Sequence, residues 1–228
     1  MKRLVLAPIA ALALIGGLAS TARAQAAPAS SAAPATPLNR LSIGVFGGGA
    51  AVQNVGGLFG GEINFQVSDT IDVFGEGSWM SDVITRRRLD HVSAITSYLQ
   101  SSQGKTATGT LTAPASAGGA GIRVFLTQGD PSKIKPYVAV GVGVAHVAVT
   151  PAFTLGGTDV TTSLSQYGVQ LGADLTGEEN AASFGGGAGV RTVRGKIYFD
   201  GGFRILSIRS ADQPITVSRL AATVGYKF

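Results

Sequence analysis

Cysteine is absent from the 228-residue chain, which excludes a disulfide framework and the lipid-bearing cysteine of a bacterial lipoprotein. Stability must therefore come from backbone pairing and packing. Histidine is scarce: His91 and His146 stand in separate segments, and no second His or Cys lies at metal-ligand spacing, so neither a metal site nor a cofactor is expected. Past the N-terminal segment the chain also lacks any apolar run near the roughly 20 residues that a spanning helix needs. That excludes a membrane helix but not a membrane strand, which needs only about half that length.

Acidic residues are missing from the N-terminal segment. Lys2 and Arg3 precede an apolar core from Leu4 to Leu18, and Ala22-Arg23-Ala24 closes the stretch in a small-x-small pattern. This is the layout of a secretory signal peptide, so residues 1–24 are expected to be removed. The net charge of +5 then falls to +2 as three cations leave, and the basic balance carries no argument for nucleic acid. Residues 25–40 follow, built almost wholly from Ala, Pro, Ser and Thr between Gln25 and Pro37. Such a composition cannot bury a core and reads as a disordered periplasmic leader. One domain remains, residues 41–228.

Within that domain apolar residues recur with period two in eight segments: Leu41 to Ala51, Leu58 to Ser68, Thr70 to Ser81, Ala115 to Thr127, Lys135 to Val149, Ala182 to Val193, Gly195 to Ile208 and Ile215 to Phe228. Gly, Asn, Asp, Pro and Ser separate them. Their connections alternate in length: Asp69, Gln128 to Ile134 and Arg194 are short, whereas Asp82 to Pro114 and Thr150 to Ala181 are long. Closed membrane barrels sort their connections this way, with short periplasmic turns and long outer loops. The expected fold is all-β, an eight-stranded antiparallel up-and-down transmembrane barrel.

The two faces of each segment alternate in a way that alone also permits a soluble barrel with its branched residues inside, and glycine on the polar face and aromatics at the ends of the apolar face favour the inverse. Val138, Val140, Val142 and Val144 alternate with Ala139, Gly141, Gly143 and Ala145, and Ile197, Phe199, Phe203 and Ile205 lie opposite Asp200 and Arg204. Gly44, Gly48, Gly60, Gly119, Gly121, Gly187, Gly189 and Gly225 share the polar face, as a narrow lumen would require. The apolar face carries aromatics near its ends, Phe59, Trp79 and Phe184 toward the outer loops and Phe65, Phe199, Tyr226 and Phe228 toward the periplasmic rim, where interfacial girdles sit. The lumen is thus expected to hold Glu62, Glu76 and Asp200 with Arg123, Arg191, Arg204 and Arg219 as a paired network, because an unpaired buried charge is expensive. Its plain role is to fill the lumen and fix register. The sharper alternative is a gate or selectivity filter for a narrow pore.

The segments Pro136 to Val147 (PYVAVGVGVAHV) and Arg219 to Phe228 (RLAATVGYKF) resemble strands of the small eight-stranded outer-membrane barrels, the family of the outer membrane protein A barrel domain and of porin-like surface proteins. The resemblance covers Leu41 to Phe228. It implies that Tyr226 and Phe228 carry the signal read by the barrel-assembly machinery of a Gram-negative cell, and that the protein resides in the outer membrane. It departs from the family's larger members in having no peptidoglycan-binding domain after the eighth strand, so cell-wall tethering of that kind is not expected.

Little else in the sequence points to chemistry. His91-Val92-Ser93, with Asp90 adjacent, has the His-x-Ser spacing of lipid A deacylase barrels, but neighbours on an outer loop are not thereby a triad. Arg86, Arg87 and Arg88 lie just beyond the third strand, where they are candidates for contact with lipopolysaccharide phosphates or for a solvated charge run. Leu89, Val92, Ile95 and Leu99 then recur at helical spacing, consistent with a loop helix or an extension of the wall. The glycine runs 47–49 and 185–187 fall within strands and so fail the context of a phosphate loop. The leading expectation is a non-enzymatic structural or surface-interaction barrel whose partners are outer-membrane lipid and lipopolysaccharide, the assembly machinery, and an extracellular partner met through loops 82–114 and 150–181, with no nucleic acid. A narrow porin-like channel is the first alternative and a lipid A-modifying enzyme the second.

Overall fold

The computed structural model describes residues 40–211 and 213–228; the expected signal peptide and nearly all of the expected leader lie outside them. The described chain forms β1 (Leu41–Ala51), β2 (Val55–Ser68), β3 (Ile71–Met80), α1 (Arg86–Gln103), β4 (Ala107–Thr112), β5 (Ala115–Phe125), β6 (Lys135–Leu155), β7 (Thr158–Asp159), a 3-10 turn (Thr161–Tyr167), β8 (Gly177–Arg194), β9 (Ile197–Ile208) and β10 (Ile215–Lys227). Eight of these strands pair antiparallel in the order β1-β2-β3-β5-β6-β8-β9-β10, and β10 pairs back to β1, closing the sheet into a barrel without free edges.

Alternation decides which side chains face in. On β6 the odd-numbered residues point to the lumen, leaving Val140 64 % and Val142 70 % exposed on the outer surface while Tyr137 and Ala145 are buried. Register follows from the same period. Glu62 stands opposite Glu76 across β2 and β3, and Arg191 opposite Asp200 across β8 and β9. A one-residue slip of any strand would turn its charges toward the apolar exterior, so the register is strongly specified.

Three segments run beyond their expected ends, β2 among them, which begins at Val55 rather than Leu58. β6 continues to Leu155 rather than stopping at Val149, and β8 begins at Gly177 rather than near Ala182. The extra length exists because β6 gains new partners above the barrel: β4 pairs with it from Thr112↔Thr150 to Ala107↔Leu155, and β7 closes a hairpin on it through Gly156-Gly157. Both glycines hold positive φ, +60° and +82°, the geometry that a two-residue hairpin turn demands. The long connection after β3 is therefore no open loop. Its helical spacing resolves as α1, an 18-residue helix that starts after Thr85 and stops at Gly104 in the left-handed conformation. Val92 and Leu99 of α1 pack down onto the inner face of β4 and on Phe153.

The interior is not polar throughout, as alternation with glycine alone would suggest. In its outer half the lumen is lined by Phe46, Ala50, Leu58, Met80, Ala115, Val147, Ile208, Ile215 and Val217, all buried. Above them sit Val83, Ile84, Leu111, Leu164, Val169 and Leu175 of the folded outer segments, in one continuous cluster. The barrel thus carries a dry core of soluble-protein type that passes from lumen to cap. Each large side chain buried in it contributes about 1.5–3 kcal/mol.

Candidate functional site

Beneath the dry core lies a layer of charge. Glu62 on β2 is its hub: its carboxylate accepts from Arg123 Nη2 at 3.1 Å, Arg191 Nη2 at 3.0 Å, Tyr198 Oη at 3.0 Å and Asn64 Nδ2 at 3.0 Å, and Arg204 Nη2 stands 3.8 Å away. Arg191 reaches two further acids, donating through Nε to Asp200 and through Nη1 to Asp72, each at 3.0 Å. Glu76 pairs with Arg204 and, at 2.6 Å, with Arg219 Nη2. Four acids therefore meet four arginines, so the layer is neutral as a whole. In a medium that screens poorly, only such balance keeps the charged forms tolerable.

All seven charged residues singled out for the lumen from sequence meet in this layer, and the structure adds others. Asp72, Asn64, Tyr137 and Tyr198 share the parity of Glu76, Glu62, Gly141 and Asp200 on their strands, and that parity was the available signal. Tyr137 donates to Asp200 at 2.7 Å and offers its ring to Arg123, whose guanidinium carbon lies 4.7 Å from the ring centroid. Phe74 flanks Arg123 at 5.2 Å and Arg204 at 5.1 Å. Arg123 is completely buried, and the rings supply attraction where water cannot. The glycines make room for this filling. A Cβ added to Gly225 would lie 2.2 Å from the Tyr198 ring, and one on Gly44 2.1 Å from its hydroxyl.

The remaining sequence candidates scatter over the cap and the rims. Arg86 and Arg87 are exposed in the first turn of α1, whereas Arg88 is only 3 % exposed, with Nε and Nη1 lacking hydrogen-bond partners; it does not reach the surface where a lipopolysaccharide phosphate would lie. His91 sits on the helix α1 and hydrogen-bonds through Nδ1 to Asp174 Oδ2 at 2.5 Å, joining the cap's two long segments. Among the described residues no hydroxyl bonds to His91, and Ser93 faces solvent. His146 is held by Asn180 at 3.1 Å. The Thr161 amide donates to the Asp159 carboxylate at 2.8 Å and holds that carboxyl below its ordinary value. Among the described residues no group of His, Asp and Glu is placed to hold a metal ion.

On the outer surface the aromatics mark two levels. Phe59 and Trp79 stack with centroids 5.1 Å apart at the level of the cap, and Tyr226 and Phe228 meet edge to face at 5.3 Å on the opposite rim. Between them the wall presents only apolar or small side chains.

A closed eight-stranded ring, greasy outside and charge-paired inside, is the architecture of the small eight-stranded outer-membrane β-barrels, and the chain has that fold. No family model matches the sequence, and no curated protein matches it either. Among solved structures the chain is similar to Neisserial surface protein A, at 13 % identity over 82 % of this chain and 96 % of that one, with a TM-score of 0.50; identity this low speaks to fold alone. Weaker likenesses connect it to Ail, the attachment invasion locus protein of Yersinia pestis, at 12 % identity over 82 % of this chain and 96 % of that one (TM-score 0.43), and to the N-terminal β-barrel domain of Pseudomonas aeruginosa OprF, at 12 % identity over 81 % and 97 % (TM-score 0.41).

Proposed function

We propose that this protein is a closed, non-enzymatic barrel of the Gram-negative outer membrane, serving envelope structure or surface interaction through its folded cap. One observation supports the reading: two layers of side chains lie across the lumen, the neutral ion-pair layer around Glu62 and the apolar core above it. An ion would have to break the first and shed its hydration in the second. In planar bilayers the refolded protein is expected to show no discrete openings above the lipid baseline. Stable unitary steps would sink the closed-barrel reading and favour a channel.

Residence in the membrane is supported by the exposed apolar belt. Val45, Ile63, Val73, Ile122, Val140, Val190, Phe203 and Leu220, one on each strand of the ring, are each more than 40 % exposed, an encircling surface that a water-soluble protein rarely leaves uncovered. Trp79 gives a direct test, being the single tryptophan of the chain. In bilayers its fluorescence is expected to be quenched strongly by bromines near the headgroup end of the acyl chain and weakly by bromines near the chain terminus. Emission indifferent to both positions would place the ring in water instead.

The partners follow from this reading. Tyr226 and Phe228 present the aromatic ending recognised in barrel assembly, Arg86 and Arg87 offer cations to lipopolysaccharide phosphates, and the cap gives an extracellular partner its surface. A lipid-modifying activity has less support, because among the described residues no hydroxyl bonds to the His91–Asp174 pair.

A further inference from the structure

The barrel end at which β1 begins and β10 finishes is concave, a hollow of about 540 Å³ that opens to solvent. Around it stand cations from separate elements: Arg40 before β1, Lys135 at the start of β6, Lys227 at the end of β10, and Arg191 on the floor. Two carboxylates face the same space, Asp69 on the turn between β2 and β3 and Asp72 deeper in β3. Asp72 is already engaged by Arg191 at 3.0 Å, and Arg191 also pairs with Glu62 and Asp200. The floor is therefore internally neutralised. The rim is less balanced: Lys227 donates to the neutral Gln66 at 2.9 Å, Asp72 and the exposed Asp130 stand within electrostatic reach of Lys227 and Lys135, and Arg40, Lys135 and Lys227 form no ion pair among the described residues, so three unpaired cations border the hollow beside Asp69.

We propose that this vestibule binds a phosphate group, either free or as a lipid headgroup. Converging cations raise the local potential in a concave, weakly screened space and concentrate small anions there. A compact anion with several oxygens can meet donors arriving from different directions, whereas a planar carboxylate is best matched by a single bidentate arginine. The buried Phe125 beside Arg191 closes the floor, so the anion stays at the rim and does not enter the lumen. This site is independent of whether the barrel conducts or what its cap binds.

The test is an amide NMR titration of the refolded protein in zwitterionic nanodiscs with inorganic phosphate. Resonances of Arg40, Gln66, Lys135 and Lys227 are expected to move together along one saturable curve, while chloride at equal ionic strength leaves them in place. The variant R40Q/K135Q/K227Q, which leaves Arg191 and its acids intact, is expected to bind roughly tenfold more weakly or worse. Unsaturable drift in the wild-type protein, or equal affinity in the variant, overturns the proposal. Discs containing phosphatidylglycerol separate the sources. A headgroup occupant shifts the same resonances before phosphate is added and raises the apparent Kd, whereas a soluble ligand leaves both unchanged.

Discussion

Glu62→Leu is expected to lower the unfolding free energy of the barrel by about 3–5 kcal/mol, the range for deleting one partner of a buried ion pair. The removed carboxylate binds Arg123, Arg191, Tyr198 and Asn64 at once. Its loss leaves three acids facing four arginines, with Arg123 fully enclosed. Urea unfolding of the refolded protein in detergent micelles, followed by the heat-dependent gel shift typical of such barrels, measures the change. A second substitution sharpens the outcome. Adding Arg123→Met restores charge balance and is expected to recover part of the loss, since replacing both partners of a buried pair by apolar groups is often nearly neutral. A Glu62→Leu midpoint within error of wild type would mean that water reaches the layer and that the ion pairs do not hold the lumen.

Phe153→Ala is expected to be equally severe but in a different place. Phe153 is completely buried where the extension of β6 meets β4 and α1, and truncating a buried Phe to Ala costs about 3–5 kcal/mol. Because the residue lies above the ring of eight strands, the loss falls on the cap. Limited proteolysis is expected to cut within residues 83–113 of the variant under conditions that leave the wild-type protein whole, while the gel shift of the barrel persists. Loss of the gel shift together with cap cleavage would show that cap and barrel unfold as one unit.

The two substitutions also mark what the sequence disclosed and what it hid. Period two with a polar face identified the barrel wall, the side facing lipid and the charged residues that share the lumen, because alternation is a local property of each strand. Asp72, Tyr137 and Tyr198 obeyed the same parity but drew no notice: Asp72 begins a short strand, and the tyrosines read as ordinary strand aromatics. The dry outer core was harder to read. Phe46, Leu58 and Met80 look like isolated apolar residues on a polar face, and their meaning comes only from the cap lowered onto them. That cap depends on contacts between segments distant in sequence, such as Gly109 against Phe153 and His91 against Asp174. No period within either long connection announces them.

The unbroken apolar column from lumen to cap constrains how this surface can diverge. Loops that merely hang from a barrel rim can be exchanged or lengthened without disturbing the wall. Here, grafting a foreign segment in place of residues 83–113 would strip cover from Met80 and Val147 and leave an open greasy well at that end of the barrel. Substitutions that leave this packing intact are those at positions that face outward, among them Thr108, Thr110 and Thr112 on the bare side of β4. A partner that meets the cap would accordingly read a thin veneer of outward-facing side chains over a packed interior.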